Sequence, residues 1–376
     1  MKVRRHRQLV CRWVEDGLFV GVPDQRRWVK VTPALRTLLD AADTWTDVED
    51  LLAGFDDEPG ARPAVDTLRS LKLLVSDEAT DGAPVDQVDE LRTPWRWWGL
   101  TTQRFHTDAR DANYLVDTPQ RDRTAAEIAA DGEWPAAFKD YPDRPLIMLP
   151  RRPLPLHAPV DEVFAARRTH RVFSDTPVTI DELATVLFYS FSPQRFLDAG
   201  MFGVQQARVP ASAGARHEAE CYVVAFNVDG VPPGLYHYSA RQHALELLRA
   251  DVKREDLADL TYRQGPSYEG AFTCLTTAVA NRLAWKYRHP RAYRLWMYDA
   301  GHYAQTFALA CTALGLGPFQ TVAFFDTELE RFLGVDGEQE FAVYLLSAGV
   351  PAGATTGTVT AALPADFRHP APAVLR

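Results

Sequence analysis

Residues 210–238 read PASAGARHEAECYVVAFNVDGVPPGLYHY, and the fold turns on this stretch. The small residues from Pro210 to Ala215 let a backbone come close to a planar ligand with its N–H groups free to donate. Glu220–Ala225 then reads as a buried strand. Asn227–Tyr238 follows as strand, turn and strand, with Asp229-Gly230 and Pro233-Gly234 as turn signals. Phe272–Ala280 is a second buried strand, and it leads into Trp285-Lys286-Tyr287-Arg288. A helix from about Ala292 places Leu295, Tyr298, His302, Thr306, Leu309, Ala313 and Leu316 on one face, with Gly301, Ala304 and Ala308 beside them. Small positions let two helices pack closely, which suits a buried central helix or a dimer seam, and His302 reads as a core histidine.

Upstream, Ala165–Phe173 ends a helix with Arg167, Arg168, His170 and Arg171 around Thr169. Guanidinium groups bind two phosphate oxygens at once and a hydroxyl adds a donor, so the segment suits a phosphate monoester. A solvated charged helix end accounts for the spacing equally well. Thr179 with Glu182 then caps the helix that follows.

Residues 8–31 read as three short strands, followed by a helix opened by Thr32-Pro33. Thr46 with Glu49 resembles a capping box for a second helix. A third helix, about 61–72, leads into the strand-like LLVSD. Together these make a small winged-helix-like domain over 1–80. Residues 81–160 read as a linker and an aromatic docking segment around Trp95, Trp97 and Trp98, with 140–160 running extended. An α/β pattern fills 161–351, and 352–376 reads as an extended C-terminal arm.

The 376 residues carry 46% hydrophobic and 24% charged residues, so collagen-like, disordered and coiled-coil classes are excluded. The net charge of −9 argues against a chain-wide grip on nucleic acid. Cys11, Cys221, Cys274 and Cys311 have no pairing pattern and read as reduced thiols. No signal peptide or membrane-spanning run is legible, so the expectation is a soluble, cytoplasmic protein. Metal-site, P-loop, G-x-S-x-G and G-x-G-x-x-G signatures are missing, and no metal is expected.

In chain order, R-R-T-H-R-V-F, S-A-G-A-R-H-x-x-E-x-Y, V-P-P-G-L-Y-H-Y, W-K-Y-x-x-x-R-A-Y-R, D-A-G-H-x-x-Q and L-G-L-G resemble SagB-type dehydrogenases. These are flavin-dependent members of the nitroreductase superfamily that oxidise azolines in ribosomally made peptides. The resemblance spans about 161–351, and W-G-x-x-x-x-x-F-H from Trp98 is similar to the region preceding that domain. It implies an α+β fold: a three-layer α/β/α nitroreductase-like domain with a mainly antiparallel sheet, behind the winged-helix-like domain. FMN is the implied cofactor, its phosphate and polar ring edge matched to Arg167, Arg168, Thr169 and Arg171. Ser212, Ala213, Gly214 and Arg216 match the loop that meets the flavin ring, and Lys286 and Tyr287 the pair that carries proton transfer. The family pattern is broken at Ala211 and Glu218, where prolines are usual, at Thr306 and at Ala323.

The resemblance further implies a homodimer with FMN at the subunit interface, a peptide substrate and a partner cyclase. The N-terminal module is similar to leader-peptide recognition elements, which take up a leader as an added strand. Its acidic helices disfavour the alternative of DNA binding. Two other readings stay open: a flavin oxidoreductase acting on another peptide-derived or small natural-product substrate, with or without NAD(P)H, and a peptide-binding scaffold for a partner enzyme.

Overall fold

Short β-rich runs between turn residues pair with their chain neighbours, because closing a short loop costs the least entropy. The computed structural model describes residues 1–22, 27–55, 60–77, 94–112, 118–132, 134–200 and 203–353. The chain divides into two units, Met1–Asn113 and Tyr114–Arg376. The first contains strands β1 (Lys2–Arg5), β2 (Val10–Val14), β3 (Gly17–Gly21) and β4 (Val29–Lys30). Helix α1 (Pro33–Ala41), strand β5 (Thr46–Asp47), helices α2 (Val48–Ala53) and α3 (Ala61–Ser70), strand β6 (Leu74–Ser76) and helix α4 (Trp95–Asp108) follow.

β2, β3 and β4 form one sheet and β5, β1 and β6 another. Thr32 caps α1 by accepting the Leu35 N–H. For α2 the cap is Asp47, which accepts the Glu49 N–H at 2.9 Å, whereas the Thr46 hydroxyl donates to backbone carbonyls. A carboxylate is the stronger acceptor at a helix start. The basic run Lys2–Arg5 conceals a strand: Val3 is fully buried, and Arg4 covers the Trp45 ring at 4.7 Å. Trp95 packs on Trp98 and His106 at 5.6 and 4.8 Å, while Trp97 and Trp98 are 74% and 60% exposed. Residues 81–93 of the expected linker and 354–376 of the expected C-terminal arm lie outside the described residues.

The second unit begins with α5 (Thr118–Ala130), β7 (Leu146–Met148), α6 (Val160–Ala166), β8 (Val178–Thr179) and α7 (Ile180–Phe191). Then come β9 (Arg195–Asp198), β10 (Val204–Ala207), β11 (Ala219–Ala225), β12 (Val228–Asp229), β13 (Gly234–Ser239) and β14 (Ala244–Ala250). Helices α8 (Arg254–Leu260) and α9 (Pro266–Glu269), strand β15 (Phe272–Val279) and helix α10 (Ala280–Ala284) lead to the long helix α11 (Tyr293–Ala313). Strand β16 (Gly317–Thr321), helix α12 (Asp326–Leu333) and strand β17 (Glu340–Gly349) complete it.

Seven strands form one antiparallel sheet in the order β16-β17-β15-β11-β13-β14-β7. β7 lies in the stretch expected to run extended over the surface. On one face Cys221, Val223, Phe272 and Cys274 join Leu187 and Phe191 of α7 and Tyr303 and Phe307 of α11. On the other, Tyr222, Val224 and Leu275 join Leu257 of α8 and Leu329 of α12. The domain is thus a nitroreductase-like three-layer α/β/α fold, with β11 buried along its whole length because helices cover both faces.

The buried line of α11 is Tyr303, Phe307 and Cys311 with Ala304 and Ala308. Tyr298 is 54% exposed and His302 also faces outward, so the face expected from spacing is rotated by one residue, about 100°. Aromatic bulk at Tyr303 and Phe307 fills the layer over β11 better than the mixed row Tyr298, His302 and Thr306. Among the described residues, no helix is long and apolar enough to cross a membrane.

Candidate functional site

The loop between β10 and β11 gathers positive-φ residues: Gly214 at 58°, Ala215 at 53° and His217 at 46°. Side chains in this region cost about 1–2 kcal/mol each relative to a relaxed backbone, so the surrounding structure must enforce the conformation. Part of the enforcement comes from the buried His217 ring. Its Nε2–H donates to the Gln206 carbonyl at 3.0 Å, and its Nδ1 therefore accepts from the Tyr303 hydroxyl at 2.7 Å. Burial and then nearby Arg208 hold the His217 pKa down to about 3, which keeps the ring neutral.

Gly214 faces the second candidate group. A Cβ there would lie 2.7 Å from Lys286 Nζ and nearer still to the Tyr287 hydroxyl. Lys286 and Tyr287 hang from the end of α10, whose last turn continues through N–H bonds from both residues to the Leu283 carbonyl. The loop and the lysine–tyrosine pair, far apart in sequence, therefore meet.

Arg282 holds them in that relation. Its guanidinium donates to Glu220 at 2.6 Å, to the Ala136 carbonyl at 2.9 Å and to the His217 carbonyl at 3.4 Å. Its own carbonyl accepts the Arg216 Nε–H at 3.3 Å. Burial works to raise the Glu220 carboxyl, but Arg282 and the His237 hydrogen bond outweigh it and hold the pKa at about 2. His237 bridges Glu220 and Glu246 at 3.1 and 2.7 Å, so a continuous buried polar chain underlies the site.

Burial and the neighbouring Arg216 charge lower the Lys286 pKa, which favours the neutral amine. The Arg216 guanidinium lies 4.8 Å from the Trp134 ring, and Trp134 meets Trp285 at 6.1 Å. An ion pair from Asp131 to Arg288 ties the same segment down beside the site. Adjacent to Tyr287 is a cleft of about 400 Å³, lined by Arg288, His289, Pro290, Tyr293 and Trp296 among others. Sequence reasoning missed Arg282 and Trp134, whose partners lie on distant segments. Only the W-K-Y motif hinted that a tryptophan-lined corner was near.

The arginine segment is placed elsewhere. Arg168 donates to the Ala165 and Arg167 carbonyls at 2.6 and 2.8 Å, closing the end of α6. The His170 N–H donates to Pro318 at 2.9 Å, and the His170 ring lies against Gly317 of β16. Among the described residues, the Arg167, Thr169 and Arg171 side chains have no hydrogen-bond or ion-pair partner, and no such bond joins this segment to the Ser212 loop.

The model of the nitroreductase family matches residues 164–350. The chain is 27% identical over 190 residues to the trifolitoxin operon protein TfxC of Rhizobium leguminosarum bv. trifolii, covering 49% of this chain and 53% of that one. It is 28% identical over 163 residues to the trifolitoxin-processing protein TfxB of the same organism, covering 42% and 44%. The chain thus spans about half the length of these curated relatives. A crystal structure of a nitroreductase-type protein from Anabaena variabilis superposes with a TM-score of 0.53 at 21% identity, over 70% of this chain and 49% of that one.

Proposed function

Taking the nitroreductase-like domain of residues 164–350 as premise, we propose that the chain is an FMN-dependent dehydrogenase that oxidises azolines to azoles in a ribosomally made peptide. The observation that carries the reading is the convergence of the Ser212–Arg216 loop on Lys286 and Tyr287. The residues fit the cofactor: the missing Cβ at Gly214 lets Lys286 and Tyr287 close on the loop backbone, and Arg167, Thr169 and Arg171 carry donors with no protein partner among the described residues. When bound, FMN supplies a two-electron acceptor.

Arg167, Arg168, Thr169 and Arg171 would hold the phosphate, with guanidinium charge offsetting an anion of about −2. Ser212, Ala213, Gly214 and Arg216 would present backbone to the ring. The azoline loses a proton and a hydride, and the proton needs a base. Lys286 serves because desolvation and Arg216 favour its neutral form, with Tyr287 beside it to relay the proton. The aromatic cleft next to Tyr287 would take the peptide around the reacting ring.

The exposed α11 face, with Met297 58% and Tyr298 54% accessible, supports a homodimer in which the second copy completes the cofactor site. In the first unit β2 is an edge strand with Trp13 79% exposed, which supports uptake of a leader peptide by strand addition. The trifolitoxin-processing name of one relative supports a processing role, and a cyclase partner would supply the azoline. The test is an absorbance band at about 450 nm in the purified protein, then loss of two hydrogens from an azoline-bearing peptide by mass spectrometry. A protein that neither retains nor takes up FMN would end this reading.

A further inference from the structure

The loop that meets Lys286 and Tyr287 is fastened from below at three consecutive residues. Asp299 is 2% exposed, and its Oδ2 accepts the Ala213 N–H at 3.0 Å. His302, one turn along α11, donates from Nδ1 to the Ala211 carbonyl at 3.0 Å, since a carbonyl can only accept. Ser212, between them, accepts the His217 N–H on its Oγ at 2.9 Å. Residues three apart share a helix face, so the spacing of Asp299 and His302 suits a two-point hold. Glu218, 1% exposed and just before β11, lies close enough to feel the Asp299 charge, and its Oε2 has no hydrogen-bond partner among the described residues.

We propose that α11 positions the cofactor loop: Asp299 and His302 fix the Ala211–Ala213 backbone, and the buried Glu218 carboxyl backs Asp299 from the sheet side. The proposal rests on the reading that this loop meets FMN. Glu218 and Asp299 are positioning residues, because they act through the loop backbone.

Two carboxyl groups in one buried site cannot both ionise cheaply. Burial, and next the Asp299 charge, raise the Glu218 pKa to about 9, so Glu218 is protonated at neutral pH. The other charged or titratable groups facing it are Arg282 from α10 and Tyr303 from α11. Arg282 lowers the Glu218 pKa, but its charge is paired with Glu220 at 2.6 Å. A proton held more tightly in the fastened loop than at the ordinary value of 4.5 makes the hold strongest in acid. The hold then weakens as pH rises toward and through about 9.

The experiment is hydrogen–deuterium exchange of peptides spanning 208–217 in the flavin-free full chain. Protection is referred to intrinsic rates from pH 6 to 10, and FMN is titrated into the same proteins. Wild type should lose roughly tenfold protection per pH unit from pH 6 to about 9 and level off above it, and Glu218→Gln should remove that slope. Asp299→Ala and the outward-facing His302→Ala should each lower protection by about tenfold at pH 7, with weaker FMN binding in the same order. His302→Ala keeps the test open where Asp299→Ala does not fold. A slope equal in wild type and Glu218→Gln, or unchanged protection in folded His302→Ala, would overturn the proposal. The expected loop changes with no FMN uptake by any form would retain the hold and remove the flavin.

Discussion

Ser212–Arg216 and Arg167–Arg171 are assigned to one cofactor, yet the chain treats them differently. The loop is tied through backbone groups to His217, Asp299, His302 and Arg282, at the cost of two residues held at positive φ. The arginine segment is tied mainly by its backbone and by Arg168, leaving Arg167 and Arg171 without protein partners among the described residues. Backbone approach to a planar ring demands a fixed geometry, because N–H donors have no spare torsions. A phosphate with several oxygens can be met by long side chains that adjust on binding. The site divides its work between a stiff half and an adaptable half.

The division can be broken most sharply at Lys286. Lys286→Ala should leave FMN bound and cut turnover by about 10³-fold, read as steady-state kinetics beside the flavin spectrum. Flavin loss would instead make the lysine structural. Because burial and Arg216 lower its pKa, wild-type turnover should persist below the pH expected of an ordinary lysine and fall as the amine protonates. Gly214→Ala probes the stiff half: the new Cβ must displace Lys286 and Tyr287, so turnover should fall by roughly 10²-fold with FMN retained. Arg171→Ala probes the adaptable half and should weaken FMN binding by about tenfold in a fluorescence titration, with little change in turnover at saturating FMN. An equal loss of both quantities would erase the distinction. The smallest effect belongs to the other unit. Trp13→Ala should weaken leader-peptide binding several-fold by calorimetry without changing Tm, since the indole is 79% exposed.

What the sequence revealed follows how local each signal is. β11, β15 and the Thr32 and Thr179 caps rest on alternation, turn residues and hydroxyl acceptors a few positions apart, and they stand as expected. The hairpin expected over Asn227–Tyr238 does not form, because β12 pairs in parallel with β8 while β13 pairs with β11 and β14. β7 was hidden because three residues flanked by prolines and arginines carry no strand pattern. The α11 face was misread by one residue because apolar side chains occur all round that helix. The motifs around Ser212 and Lys286 were legible, but their meeting was not, since it depends on Arg282 reaching Glu220 across 62 positions of chain. Asp299 likewise acquires meaning only through the distant Ala213 N–H that it accepts.

The buried chain from Arg282 through Glu220 and His237 to Glu246 also bears on how the sheet assembles. Alternate residues of β11 face opposite layers, so a shift of one position would thrust Glu220 among Phe191, Phe272 and Phe307, strand Arg282 without an anion and leave His237 with Glu246 alone. Oily strands such as β11 and β15 tolerate many near-equivalent alignments during folding, and a buried carboxylate with only one acceptable seat penalises the incorrect ones. The same ions that brace the corner around Lys286 and Tyr287 thus act as a proofreading key for strand pairing.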